Sequence, residues 1–113
     1  MNNLKNKVHL IGRLGQDPEL ITFDGGKVKA NFRMAVNERH KNKEGETVEE
    51  TQWHNLVAWG KTAELVGQLL KKGKEIAIDG KLNSRSYQDK EGKQRTVTEI
   101  QINEFLLLDR EKA

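Results

Sequence analysis

Trp53 and Trp59, the two tryptophans of the chain, lie six residues apart in Thr51-Gln52-Trp53-His54-Asn55-Leu56-Val57-Ala58-Trp59-Gly60-Lys61. Side chains alternate sides along a β-strand. An even spacing therefore puts both indoles on one face with Asn55 and Val57, about 20 Å apart at ~3.3 Å per residue, and leaves Gln52, His54, Leu56 and Ala58 on the other face. Two roles are open to such a pair. Inside, with Val57, the rings fill a core, the commoner fate of large aromatics. Outside, over a core that takes Leu56 and Ala58, they form a platform on which flat groups stack.

The cations decide what could meet that platform. Lys61 follows the tryptophan segment directly, Lys71, Lys72 and Lys74 cluster further on, and Lys81, Arg85, Lys90, Lys93 and Arg95 surround a third aromatic, Tyr87. Lys29 and Arg33 alternate with apolar residues in an earlier segment, and Arg39, Lys41 and Lys43 crowd the basic half of Glu38 to Glu50. Each group has a plain alternative as a solvated surface. Interleaved with aromatics, however, such cations are what a single strand of nucleic acid needs, bases stacking at ~1 to 3 kcal/mol each and phosphates meeting Lys or Arg. The phosphate-contact candidates read from the residues alone are thus Arg33, Lys41 and Lys43 beside the aromatic segment.

Other chemistries fit less well. The chain has no cysteine and three scattered histidines, which leaves no disulfide, thiolate site or metal-ligand spacing, so neither a metal nor a cofactor is expected. No carboxylate pair, Ser/His/Asp set or phosphate-cradling glycine loop stands out, and the expectation is a binding protein, not an enzyme. Lys plus Arg number 20 and Asp plus Glu 17, a net charge of +3, which permits an anionic partner without demanding one. Met1 to Lys7 lacks the apolar run of a signal peptide, and no apolar stretch nears the ~20 residues of a membrane span, which points to a cytoplasmic location.

The elements that must hold these groups follow from periodicity. At 113 residues the chain is long enough for one modest core. Val8, Leu10, Gly12 and Leu14 alternate with His9, Ile11 and Arg13, a first strand whose outward Ile11 suggests a covered outer face. Val28, Ala30, Phe32, Met34 and Val36 make a second, after an Asp24-Gly25-Gly26 turn. Glu38 to Glu50 reads as an exposed hairpin loop. The tryptophan strand comes third. Thr62 to Gly73 predicts an amphipathic helix with Leu65, Val66, Leu69 and Leu70 inward, lysines favoured by the macrodipole at its end and Gly73 as cap. Ile76, Ile78, Gly80 and Leu82 resume period two, with Gly80 marking a bend or bulge, and Ile100, Ile102 and Phe105 to Leu108 form a last strand after a turn at Asp89 to Lys93. Three strands, a helix and two strands fit an all-β, five-stranded OB barrel with its short helix between strands three and four. The domain spans residues 1–108, and 109–113 form a short polar remnant. Side chains alone fill the interior of so small a barrel, and two indoles beside Phe32 and the aliphatics would overfill it, which favours the platform.

In combination, several segments closely resemble the bacterial single-stranded DNA-binding proteins (SSB): Asn6-Lys7-Val8, Ile11 to Glu19 (IGRLGQDPE), Thr51-Gln52-Trp53-His54 through Gly60-Lys61, Leu70-Lys71-Lys72-Gly73 and Asp79-Gly80-Lys81-Leu82. The resemblance runs from about Asn6 to Leu107. It implies base stacking by Trp53, Trp59 and Tyr87 and phosphate contacts from Lys61, Lys72 and Arg85. Many relatives carry Phe at the position of Trp59, Trp at that of Tyr87, and a further tryptophan where this chain has Arg39-His40. The resemblance also implies sequence-independent binding and protection of single-stranded DNA in replication, recombination and repair, in the cytoplasm at the nucleoid. It implies a homotetramer too, with first strands carrying His9 and Ile11 paired between subunits and His54 at an interface. The acidic tail through which such proteins recruit replication and repair enzymes is not found before Ala113. Two other partners remain open on the residues: RNA in place of DNA, and a protein partner for an OB module whose aromatics sit in an oligomer interface.

Overall fold

The computed structural model describes residues 4–108 of the chain. A 3-10 turn, Leu4–Asn6, leads into β1 (Val8–Leu14), β2 (Glu19–Thr22), β3 (Val28–Lys41), β4 (Thr47–Trp59), α1 (Gly60–Leu69), β5 (Glu75–Gln88) and β6 (Gln94–Leu107). The strands follow the order β1-β5-β6-β4-β3-β2, and β1 also pairs with β3. That last pairing, Arg13 with Ala35 and Leu14 with Met34, closes five strands into a barrel, while a short parallel ladder (Leu56 with Ile100, Val57 with Gln101) joins β4 to β6. This is the OB barrel expected from the periodicity, with α1 between its third and fourth strands. The extra strand, β2, has only four residues. It forms because β3 offers it a free edge, with Glu19 to Thr22 paired against Asn31 to Val28.

Closure depends on two glycines. At Gly12 a Cβ would overlap the backbone carbonyl oxygen of Ala35, where β1 crosses β3, and at Gly80 it would overlap that of Gln101. The β5–β6 ladder slips in register between Asp79 and Gly80, so Gly80 marks the bulge that its place in the sequence suggested.

Aliphatic side chains with Phe32 and Met34 fill the interior: Leu14, Leu56, Ile76, Ile78, Ile100 and Ile102 are buried among them. Neither tryptophan joins this core. Val57, on the tryptophan face, is nevertheless buried, because β3 and β6 flank it on both sides.

Three expectations need correction. Glu38 to Glu50 is not a loop: β3 and β4 stay paired from Lys29 with Trp59 to Lys41 with Thr47, leaving a turn of five residues. The backbone ladder holds this arm, and on its exposed surface Arg39 pairs with Glu49 at 2.8 Å while His40 lies 3.8 Å from Glu50. Second, the helix ends at Leu69, four residues before Gly73, with no basic residue in its last turn. Gly73 shapes the following turn instead, its N–H donating to the Leu14 carbonyl and its own carbonyl accepting from Arg13 Nη1. Third, α1 turns Ala63 and Val66 inward, with Leu70 buried just after it, and leaves Leu65 and Leu69 about half exposed. Val66 and Leu70 thus face the barrel as expected, with Ala63 in place of Leu65 and Leu69.

The β3–β4 and β5–β6 hairpins end in turns of one design. Asn42 and Asp89 each open a five-residue turn, and a side-chain oxygen of each accepts two backbone N–H groups, those of Glu44 and Glu46 or of Glu91 and Lys93. Gly45 and Gly92, both at φ 80, take the left-handed position.

Candidate nucleic-acid interface

The antiparallel register of β3 and β4 sets Ala35 opposite Trp53, Arg33 opposite Asn55, Asn31 opposite Val57 and Lys29 opposite Trp59. Directly opposed residues share a face, so both indoles and both cations project from the same side of the sheet. Trp53 is 50% exposed. Its ring lies against the backbone of Gly15, where any Cβ would overlap it, and the Arg33 guanidinium sits 4.7 Å from the ring centre. The indole is thus held on one side by the β1–β2 turn and by a cation, with the rest open to solvent.

Trp59 is more covered. Phe23, from the turn between β2 and β3, stacks on it with ring centroids 5.9 Å apart and an interplanar angle of 25°. The ammonium groups of Lys27 and Lys29 lie 4.8 and 5.3 Å from its ring. Gly60, at φ +62, lets the chain pass from β4 straight into α1. Lys61 is thereby exposed on the first turn of the helix, next to the platform's end.

The β5–β6 arm supplies the opposite wall. Arg85 lies across from Val97 and Tyr87 across from Arg95. Between the arms runs an open groove of about 300 Å³, edged by Lys29, Arg33 and Arg85 and floored by Asn31, Asn55 and Glu99. Glu99 is 8% exposed, and its carboxylate lies 3.5 Å from Arg85 Nε, its one partner among the described residues. The groove therefore carries three cations and one buried anion. At the tip of this arm, Asp89 has its carboxyl held below the usual range, first because Arg95 donates to it and then because the Lys93 N–H does, with desolvation opposing them and the Glu91 N–H adding least.

The residues singled out from sequence are not all gathered here. Trp53, Trp59, Arg33 and Arg85 surround or flank the groove, and Tyr87 continues its wall two residues past Arg85 on the same side of β5. Lys72 is not part of the groove lining; its backbone N–H donates to Asp17 at 2.8 Å, which docks the turn after α1 onto the turn that carries Gly15. Lys41 and Lys43 lie elsewhere, at the tip of the β3–β4 arm, with Lys41 about 26 Å from Arg33 along an extended strand. His9 and Ile11 face outward from β1 opposite Asp79 and Ala77, and His54, half-buried, lies opposite Met34 on the other face of β4. Phe23, Lys27 and Glu99 went unnoticed in the sequence. Phe23 falls outside any alternating run, and its one signal is an aromatic placed just before Asp-Gly-Gly.

Among the described residues no group of His, Cys, Asp and Glu could hold a metal ion, and no helix is long and apolar enough to cross a membrane. The model of the Single-strand binding protein family matches residues 5–108, and the chain belongs to that family. It is 45% identical over 103 residues to the single-stranded DNA-binding protein of Neisseria meningitidis, covering 91% of this chain and 59% of that protein. With single-stranded DNA-binding protein 1 of Chlorobaculum tepidum the identity is 43% over 104 residues, covering 91% and 64%. The chain thus spans about three fifths of the length of these relatives. Among solved structures, the Plasmodium falciparum SSB in complex with ssDNA superposes with a TM-score of 0.84 at 30% identity, covering 96% of this chain and all of that one. A deletion variant of the single-stranded DNA binding protein of Thermus aquaticus gives 0.82 at 26% identity, covering 92% and 50%.

Proposed function

We propose that this chain binds single-stranded DNA without sequence preference, protecting it in replication, recombination and repair. Bases stack on Trp53, Trp59 and Tyr87, and Arg33, Arg85, Lys61 and Lys72 meet the phosphates, with Lys41 and Lys43 available to a strand long enough to reach the arm's tip. The observation that carries this reading is that both indoles lie outside a core already filled by aliphatics, on the face that also carries Lys29, Arg33 and Arg85. The Plasmodium falciparum relative with ssDNA supports the same ligand. The proposed activity is binding, not catalysis, at the nucleoid in the cytoplasm. The assembly is a homotetramer, with His9 and Ile11 on β1 and His54 on β4 at subunit contacts.

The test is a tryptophan-fluorescence titration with ssDNA, duplex DNA and RNA of equal length. Strong quenching and preference for ssDNA are expected. If each domain neutralises ~4 phosphates, log K falls with log salt at a slope of roughly −3, from about −0.7 per phosphate on single strands. An affinity indifferent to salt, or a preference for duplex, refutes the proposal. A lone 12.9 kDa species in sedimentation at micromolar concentration refutes the tetramer.

A further inference from the structure

We infer that Phe23, together with Lys27, forms a further nucleotide position for single-stranded DNA at the turn between β2 and β3, an extension of the track beyond Trp59 that rests on the DNA-binding reading above. Trp59 does not offer a bare ring, since Phe23 lies nearly parallel on it. Of this stacked pair Phe23 is the more open member, 45% exposed, while Trp59 is half-buried.

Phe23 takes no part in the barrel core, whose aromatic residue is Phe32. Its position is well defined all the same. The Phe23 N–H donates to the Lys27 carbonyl at 2.7 Å and the Gly26 N–H donates to the Phe23 carbonyl at 3.0 Å, with Gly25 and Gly26 both in the left-handed region. The ring therefore projects from a closed turn and is supported from below by an indole. A base laid on its outer face continues one stack of base, Phe23 and Trp59. Lys27 closes the same turn, and its ammonium, now 4.8 Å from the Trp59 ring with that of Lys29 at 5.3 Å, is on a flexible side chain that can swing to the phosphate of such a nucleotide. Stacking on an aromatic face is tolerant of base identity, so the position takes any nucleotide.

Shielding Trp59 from water would be a purely structural use of the same ring, and Phe23→Leu separates the two uses. Leucine keeps an apolar cover on the indole but has no π-face. With a labelled oligonucleotide of ~16 nucleotides, near the upper site size of one OB fold, Phe23→Leu is expected to weaken binding about fivefold or more, with the melting temperature nearly unchanged. Lys27→Gln is expected to flatten the salt slope by ~0.7. As a second measurement, ultraviolet crosslinking of the unaltered protein to an iodouracil-substituted strand should place an adduct on the peptide containing Phe23. Equal affinity of Phe23→Leu and the unaltered protein, or no adduct on that peptide while other aromatics crosslink, overturns the Phe23 site alone. Absence of all ssDNA binding by the unaltered protein overturns this site together with the reading beneath it.

Discussion

Arg85 and Glu99 make opposite demands on the groove, and a double-mutant cycle separates them. Glu99 is 8% exposed and has Arg85 as its one partner among the described residues, at 3.5 Å, whereas the Arg85 side chain is 53% exposed. Truncating Arg85 to alanine leaves a buried carboxylate without its counter-charge. Such a loss costs about 1 to 3 kcal/mol when water cannot replace the partner. Here the open groove admits some water and the pair is longer than a good hydrogen bond, so the lower half of that range applies, ~1 to 2 kcal/mol. For a domain of this size that lowers the melting temperature by roughly 4 to 10 °C, measured at one fixed protein concentration because the proposed assembly would make it concentration-dependent. Binding falls as well, and the slope of log K against log salt flattens by ~0.7. Glu99→Gln acts in the other direction. It removes the anion that competes with phosphate for Arg85 and should tighten ssDNA two- to fivefold, about 0.4 to 1 kcal/mol in a partly solvated groove. In the Arg85→Ala background it should restore most of the lost melting temperature, because no unpaired charge then remains. An unchanged melting temperature in Arg85→Ala, or weaker ssDNA binding in Glu99→Gln, refutes this account of the groove.

Three further outcomes are expected. Gly15→Val places side-chain atoms where the Trp53 ring lies, so ssDNA affinity should drop by an amount close to that of Trp53→Ala, ~1 to 3 kcal/mol, and calorimetry that finds the two variants binding like the unaltered protein rules out Trp53 as a platform. Gly80→Ala meets the backbone carbonyl of Gln101, which cannot move aside without disturbing the β5–β6 ladder, and should cost about 1 to 3 kcal/mol in a denaturant melt; a variant as stable as the parent shows that the bulge is not needed for closure. Asp89 has its folded-state pKa depressed by Arg95 and the turn N–H groups, so its stabilisation of the hairpin tip is present above the ordinary carboxylate pKa and is lost as pH falls through the lower folded value. An NMR titration should therefore show Asp89 ionising below the ordinary aspartate range, with the Glu91 and Lys93 amides shifting alongside, and an ordinary midpoint contradicts it.

Period-two alternation was enough to place β1, the barrel half of β3, the tryptophan strand and the barrel portions of β5 and β6, because those segments have one face in the core and one outside. The outer halves of the arms are exposed on both faces. Thr47 to Gln52 and Ser84 to Gln88 therefore show no apolar alternation, and their strand character comes from pairing with a neighbour and from the Asn42 and Asp89 turns. β2 escaped notice for the same reason: four residues gain a conformation only from the edge of β3. On the helix, spacing places Val66 and Leu70 inward, but it does not tell whether Ala63 or the Leu65 and Leu69 side completes that stripe, which docking on the barrel decides in favour of Ala63.

By itself, the sequence determined that Trp53 and Trp59 share a face, that Gly80 bends its strand, that basic and aromatic residues interleave, and that the chain makes one small barrel. These are local properties, set by backbone periodicity and by residue type. Only the tertiary structure decided that the shared face points outward, that Arg33 lies over Trp53, that Phe23 covers Trp59, and that Glu99 is buried beside Arg85. Each of those depends on bringing together segments 14 to 36 residues apart, such as Arg85 with Glu99, Arg33 with Trp53 and Phe23 with Trp59, or on how much volume the closed barrel leaves inside. Alternation carries no information about either, because it records which residues share a face but neither which neighbour that face meets nor how far away it lies.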